Sequence, residues 1–323
     1  MTWKPARLTV SPSLLMGHRQ TVDHRRHLSL LMDATSASNG EQANGCSYTP
    51  SISGDGRYVV FKSDATNLAP EDTNDSKDVF VHNLETGQTV LVSFEIDGTQ
   101  VGGGCYSSPS ISADGQFVAF ECSEDILVYS IETGQTKLAS ITPRDVSTNG
   151  DSLSPHISGD GRYIVGVMKI EGNGVLGEYE LEEIFVYDQI TGRSALISTA
   201  PDGNLGNRDS DSPFISPDGR YLVFASESTN LVGDDTNVAW DIFVLDRQTG
   251  QMNRVSVASD GGQANGHSLD PAISADGRYV VFVSTATNTN LVKDGTNQYK
   301  DIFVHDRETG QTIRIKPQPS ICK

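Results

Sequence analysis

Five stretches of this chain place a chemically capable side chain four positions ahead of a proline: Cys46, Cys105, Asp151, Asp209 and His267. Thiolate, carboxylate and imidazole are the usual ligands of zinc and related ions, so the set has the types a metal centre needs. A second candidate is the run D-T-N-D-S-K-D at 72–78, where Asp72, Asn74, Ser76 and Asp78 put oxygen donors at alternate positions. That spacing can wrap a calcium ion, and it equally suits a turn leading into a strand. It is not an EF-hand, because Lys77 and Asn83 stand where the sixth-position glycine and twelfth-position glutamate belong. Calcium is the one cofactor these residues suggest. The third candidate is K-I-E-G-N-G-V-L-G-E-Y-E-L-E at 169–182, whose Glu178 and Glu180 would attract a cation or a basic chain.

Other chemistries find no support. The sequence has no G-x-S-x-G nucleophile elbow, no H-E-x-x-H, no P-loop and no dinucleotide fingerprint. Its four cysteines, at 46, 105, 122 and 322, form no C-x-x-C pair, which argues against a zinc ribbon or a thioredoxin-like centre. A glycosidase pair among the many carboxylates stays open, since its ~5–9.5 Å separation is not visible in a sequence. The net charge of −18 argues against binding nucleic-acid phosphates. No apolar run reaches the length of a membrane span.

The elements that position these residues repeat. P-S-I-S-G-D-G-R-Y-V-V-F at 50–61 returns with small changes at 109, 155, 213 and 271. Each copy is followed by a second motif, from D-V-F-V-H-N-L-E-T-G-Q-T at 78–89 to D-I-F-V-H-D-R-E-T-G-Q-T at 301–312. Each unit resolves into four strands. D-G supplies the turn between the first two, T-G-Q the turn between the last two, and the middle strands are nearly continuous apolar runs. Four-stranded antiparallel units with turn residues at fixed offsets read as β-propeller blades, so the expected fold class is all-β. The aspartates of D-G-R-Y (55, 114, 160, 218 and 276) are expected to form turns.

The repeat S-x-D-G-R-Y-V-V-F followed by D-I-F-V-x-D-x-x-T-G resembles the TolB-type, WD-like propeller repeat family over about residues 33–316. The resemblance implies a binding scaffold and a periplasmic or extracellular location, and it commonly implies six blades. Five repeats are readable. Residues 1–38 are either a degenerate sixth blade or a segment outside a five-bladed ring, with 39–323 forming the propeller. Residues 1–32 carry a balance of +4 against −22 for the rest. No small-residue cleavage pattern follows their short apolar run, so no export signal is read there.

In such blades the short turns lie on one face, and the long second-to-third loops and blade connections lie on the other. Long loops on a rigid scaffold are where binding concentrates. Cys46, Cys105, Asp151, Asp209 and His267 would then ring the channel mouth, too widely spaced for one ion with bonds of ~2.0–2.6 Å. A Cys46–Cys105 disulfide is disfavoured on the same ground. Blade 2 should have a bare hairpin at 123–124, and blade 3 an acidic loop. Blades 4 and 5 both repeat the Thr-Asn of D-T-N-D-S-K-D and its final aspartate, whereas its first and fifth positions do not persist in all three, which favours a structural turn. The expectation is a non-enzymatic scaffold that binds a protein or peptide, a basic one by charge. The alternative is a small-molecule or glycan site at the mouth, for binding or hydrolysis.

Overall fold

A computed structural model describes residues 36–143, 148–174, 177–286, 291–292 and 300–315. The described residues form twenty strands that pair into five four-stranded antiparallel sheets, each in simple sequence order. The all-β propeller expectation holds. Of the segment 1–38, only Ser36–Ser38 lie among the described residues. Blade 1 is β1 (Ser47–Ile52), β2 (Tyr58–Ser63), β3 (Asp78–Asn83) and β4 (Thr89–Leu91). Blade 2 runs from β5 (Ser110–Ile111) through β6 (Phe117–Cys122) and β7 (Asp125–Ser130) to β8 (Gln135–Leu138). Blade 3 holds β9 (Thr148–Ile157), β10 (Tyr163–Gly174), β11 (Gly177–Asp188) and β12 (Arg193–Leu196). Blade 4 comprises β13 (Ser210–Ile215), β14 (Tyr221–Ser226), β15 (Asp241–Asp246) and β16 (Gln251–Arg254). Blade 5 comprises β17 (Ser268–Ile273), β18 (Tyr279–Ser284), β19 (Asp301–Asp306) and β20 (Gln311–Arg314).

The middle strands form the core because both of their faces are covered. Blades 1, 4 and 5 seat a phenylalanine pair across their second and third strands, such as Phe224 on Phe243 with ring centroids 5.9 Å apart. The opposite face of the same strands packs onto the next blade: Val223, Ala225, Ile242 and Val244 of blade 4 meet Ile273, Val280, Phe282 and Phe303 of blade 5. First strands of successive blades neighbour one another, from β1 with β5 to β13 with β17, so they lie innermost.

The short-turn face is built from one motif. The aspartate of each D-G-R or D-G-Q turn accepts from the serine two residues before it, as Asp114 Oδ1 does from Ser112 Oγ at 2.6 Å. It also accepts the backbone N–H two residues on, as from Gln116 N at 3.0 Å. These aspartates are turn formers, as the sequence predicts. In blades 3, 4 and 5 the turn's arginine reaches the aspartate that ends the third strand, with Arg220 to Asp246 at 2.8 Å. That bidentate pair holds the Asp246 carboxyl down to about 2. Blade 2's bare hairpin is also present, with Ser123 and Glu124 at φ 51° and 73°, the two-residue turn that matches strand twist.

Blade 3 departs from expectation. The acidic stretch is not an irregular loop. β10 and β11 stay paired from Tyr163 with Asp188 out to Gly174 with Gly177, and β9 follows them outward to Thr148 with Ile170. Alternating residues such as Ile170 and Leu181, both buried, give the extension an apolar side, so the ladder pays no penalty for continuing.

Candidate functional site

The extended hairpin carries a cluster of charges on the long-loop face. β10 aligns Lys169 with Glu182 and Glu171 with Glu180 across the ladder. Lys169 Nζ bonds Asp151 Oδ2 at 2.7 Å, and Glu182 N donates to Asp209 Oδ1 at 3.2 Å from the following connection. Burial first, then the charges of Asp211, Asp209 and Glu180, push the Glu182 carboxyl above its ordinary range. The Asp151 hydrogen bond raises the Lys169 ammonium, aided by Asp151, Glu182 and Glu180. Asp151, Glu180 and Glu182 thus act on Lys169, while Asp209 and Asp211 add to the negative charge at Glu182. The expected residues Asp151, Asp209 and Glu180 belong to this cluster. Glu178 pairs with Asn173 in the hairpin backbone, and its side chain lies outside those described. Asp211 was not singled out by sequence reasoning. Glu180 and Glu182 alternate along β11, so the strand period puts them on one face.

The other mouth residues lie elsewhere. His267 is exposed, and its Nδ1 accepts from Trp240 N at 3.2 Å. Cys46 is exposed and free, beside Tyr48, whose hydroxyl bonds Asp64 at 3.0 Å. Hydrogen bonds to Cys46 and Asp64 push that tyrosine up to about 12. Cys105 is wholly buried and joined to Cys122 in a disulfide, so it offers the mouth no thiol. The repeat explains the pairing. Ser63, Ser226 and Ser284 end their second strands by donating to the carbonyls of Cys46, Asp209 and His267 at 3.0–3.1 Å. Cys122 takes that serine's place, so it faces Cys105 directly. Aligning the second strands would have shown this pair. Among the described residues, no three histidine, cysteine or acidic side chains gather as a metal would need.

The D-T-N-D-S-K-D oxygens are engaged within the protein. Gln100 Nε2 bridges Asp72 Oδ1 at 3.0 Å and Asp78 Oδ2 at 3.1 Å, and Ser93 Oγ donates to Asp78 Oδ1 at 2.6 Å. Asn74 accepts from Ser76 N and donates to Val101 O, as an Asx turn does. Blade 4 repeats the whole arrangement with Gln263 across Asp235 and Asp241, and Ser256 on Asp241. Burial raises both Asp78 and Asp241 to about 6. The carboxylates of the two blades differ in one contact: Arg254 lies 3.4 Å from Asp235, whereas Leu91 takes its place in blade 1 and Asp72 Oδ2 is buried without a partner. The set thus fits a blade staple, with one oxygen left over.

A left-handed residue precedes the first-strand proline in four blades: Thr49, Ser154, Ser212 and Asp270, with φ between 46° and 55°. The ladder shifts register there, a bulge that redirects innermost side chains.

No family model and no curated protein matches this sequence. Solved structures do. A puromycin-hydrolyzing peptidase of Mycobacterium tuberculosis superposes with a TM-score of 0.52 at 12% identity, over 89% of this chain and 40% of that one. The fold is a β-propeller. TolB from Acinetobacter baumannii is similar at 15% identity and a TM-score of 0.49, over 88% of this chain and 61% of TolB. Putative TolB from Agrobacterium tumefaciens is similar at 18% and 0.48, over 84% and 81%. At these identities the likeness is one of fold. Among the propeller's described residues, no helix is long and apolar enough to cross a membrane.

Proposed function

We propose that this propeller is a binding scaffold whose blade 3–4 rim receives a lysine- or arginine-rich segment of a protein partner. The observation that carries the reading is the Glu182 environment: a carboxyl raised by burial and by Asp211, Asp209 and Glu180, with Lys169 as a counter-charge beside it. Mutually repelling carboxylates are stabilised when a cation arrives, and the gain is largest where they are partly desolvated. The hairpin that carries them projects from a packed blade, so little order has to be gained on binding. An extended basic segment can place successive side chains along Glu180, Glu182 and Asp211. A compact metal ion would need three ligands drawn together.

Hydrogen exchange of the full chain with and without a decalysine peptide tests the site. The reading expects slowed exchange in 177–183 and 208–211. Slowing confined to the short-turn face, or none at saturating peptide, contradicts it.

A further inference from the structure

Among the described residues, one lock between blades is formed four times and not a fifth. At each junction the aromatic that opens a second strand covers the D-G glycine of the next blade: Tyr58 over Gly115, Phe117 over Gly161, Tyr163 over Gly219 and Tyr221 over Gly277. A Cβ would come within 2.6 Å of Tyr58 Cδ2 at Gly115 and of Tyr163 Cδ2 at Gly219, so the fit depends on glycine. Arginines of the following blade close over two of these rings, Arg247 on Tyr163 at 3.8 Å and Arg307 on Tyr221 at 4.6 Å. Closure by five blades would set Tyr279 over Gly56. Instead Tyr279 is 37% exposed, and nothing stands within 4 Å of a Cβ at Gly56. Ile302 is 38% exposed where Ile242, its counterpart in blade 4, is fully buried. Across the seam Pro50 is exposed, although Pro109, Pro155, Pro213 and Pro271 are all buried. Among the described residues, the junction formed four times is therefore not repeated between blade 5 and blade 1.

The chain marks what belongs there. Residues 257–259 leave the fourth strand of blade 4 and clasp that of blade 5: Thr312 Oγ1 donates to Val257 O, and Ser259 Oγ donates to Thr312 O at 3.2 Å. Residues 36–38 do the same on blade 1, with Thr89 Oγ1 donating to Ser36 O at 2.6 Å and Ser38 Oγ to Thr89 O at 3.1 Å. The bridges Ser36–Gln42 and Val257–Gln263 correspond as well. Ser36 thus stands where an outer strand one blade ahead of blade 1 would end. In this sequence 35 residues precede it, and blade 2 fits all four of its strands into the shorter span from Ser110 to Leu138. The +4 balance of residues 1–32 also suits a protein that is otherwise acidic. We propose that residues 1–35 cover the seam between blades 5 and 1, with Tyr279 and Ile302 as their contact surface on blade 5. This goes beyond the rim reading and is independent of it.

Photo-cross-linking on the full chain decides it. The substitutions Tyr279→p-benzoylphenylalanine and, separately, Ile302→p-benzoylphenylalanine place the probe on a surface already exposed, and Tyr221→p-benzoylphenylalanine reports a formed junction. The expected products are monomers in which positions 279 and 302 are linked to peptides from 1–35. Links to Pro50 or Gly56 would mean that five blades close on themselves, and linked dimers would mean that a second copy covers the face. No product at 279 and 302 while position 221 reacts would mean a bare seam. Each of these three overturns the proposal.

Discussion

The ring of Tyr221 fills the space that a side chain on Gly277 would need, and Gly277 itself sits at φ 71°. One position thus carries two demands, a left-handed backbone and a close aromatic neighbour. Gly56 has the same φ of 71° and no neighbour. Substitution by alanine separates the two. Gly56→Ala should cost about 1–2 kcal/mol for the backbone alone. Gly277→Ala should add about 1–3 kcal/mol for the clash. Urea unfolding of both variants reads the difference, and equal losses would show that the aromatic lock contributes nothing.

The Cys105–Cys122 disulfide ties the entrance of blade 2 to its second strand. Closing a loop of 17 residues is worth about 3 kcal/mol in the chain-entropy account. Reduction, or Cys122→Ser, should lower the melting temperature by several degrees, while Cys46→Ser should leave it unchanged. An unchanged Cys122→Ser variant would contradict a stabilising role.

Glu183 predicts a pH dependence. Its carboxyl is fully buried at the place where other blades carry aspartate, Ser198 donates to one oxygen, and the other is left without a partner. Burial, with the Asp209 charge adding to it, raises it to about 8. Leu205 stands where blades 1 and 4 supply Gln100 and Gln263. Because the folded value lies above the unfolded one, the folded state binds the proton more tightly, and stability falls as pH rises from about 4.5 to about 8. Asp78 and Asp241 act in the same direction but finish near pH 6, and His156, held down to about 4, acts oppositely below 6.5. The window from 6.5 to 8 therefore belongs to Glu183. Wild type should lose stability across it at up to about 1.4 kcal/mol per pH unit, and Glu183→Gln should be flat. Parallel slopes would contradict the assignment.

The blade staple makes a prediction about metal. With Gln100 across Asp72 and Asp78, Gln100→Ala should destabilise by about 1–3 kcal/mol by stranding two carboxylates. EDTA should leave the melting temperature of wild type unchanged. A drop in EDTA that Asp72→Ala abolishes would instead assign calcium to the loop.

Much of the architecture was legible because its devices are local. D-G at a fixed offset, an alternating outer strand and continuous apolar middle strands each have one stable solution, and five copies agree. Asn74 and Asn237 could be read as Asx turns from their neighbours alone. What escaped the sequence depends on contacts between copies. Cys122 had to be placed against Ser63, Ser226 and Ser284 before its partner was evident. The blade 3 hairpin looked like a loop because glycines at 172, 174 and 177 interrupt it, yet Ile170 and Leu181 give it a buried side. Tyr279 shows its difference from Tyr221 only by what fails to cover it.

In the proposed function, Glu180, Glu182 and Asp211 form a docking rim for a basic chain. Its most direct measurement is the affinity of full-length protein for a labelled decalysine peptide, read by fluorescence anisotropy at 50 and 200 mM salt. Binding should weaken about tenfold or more in Glu180→Lys/Glu182→Lys/Asp211→Lys, with a shallower salt dependence in that variant, and should keep wild-type affinity in Glu85→Lys/Glu132→Lys on the opposite face. Equal affinity in all three proteins, or equal losses in both variants, would contradict it.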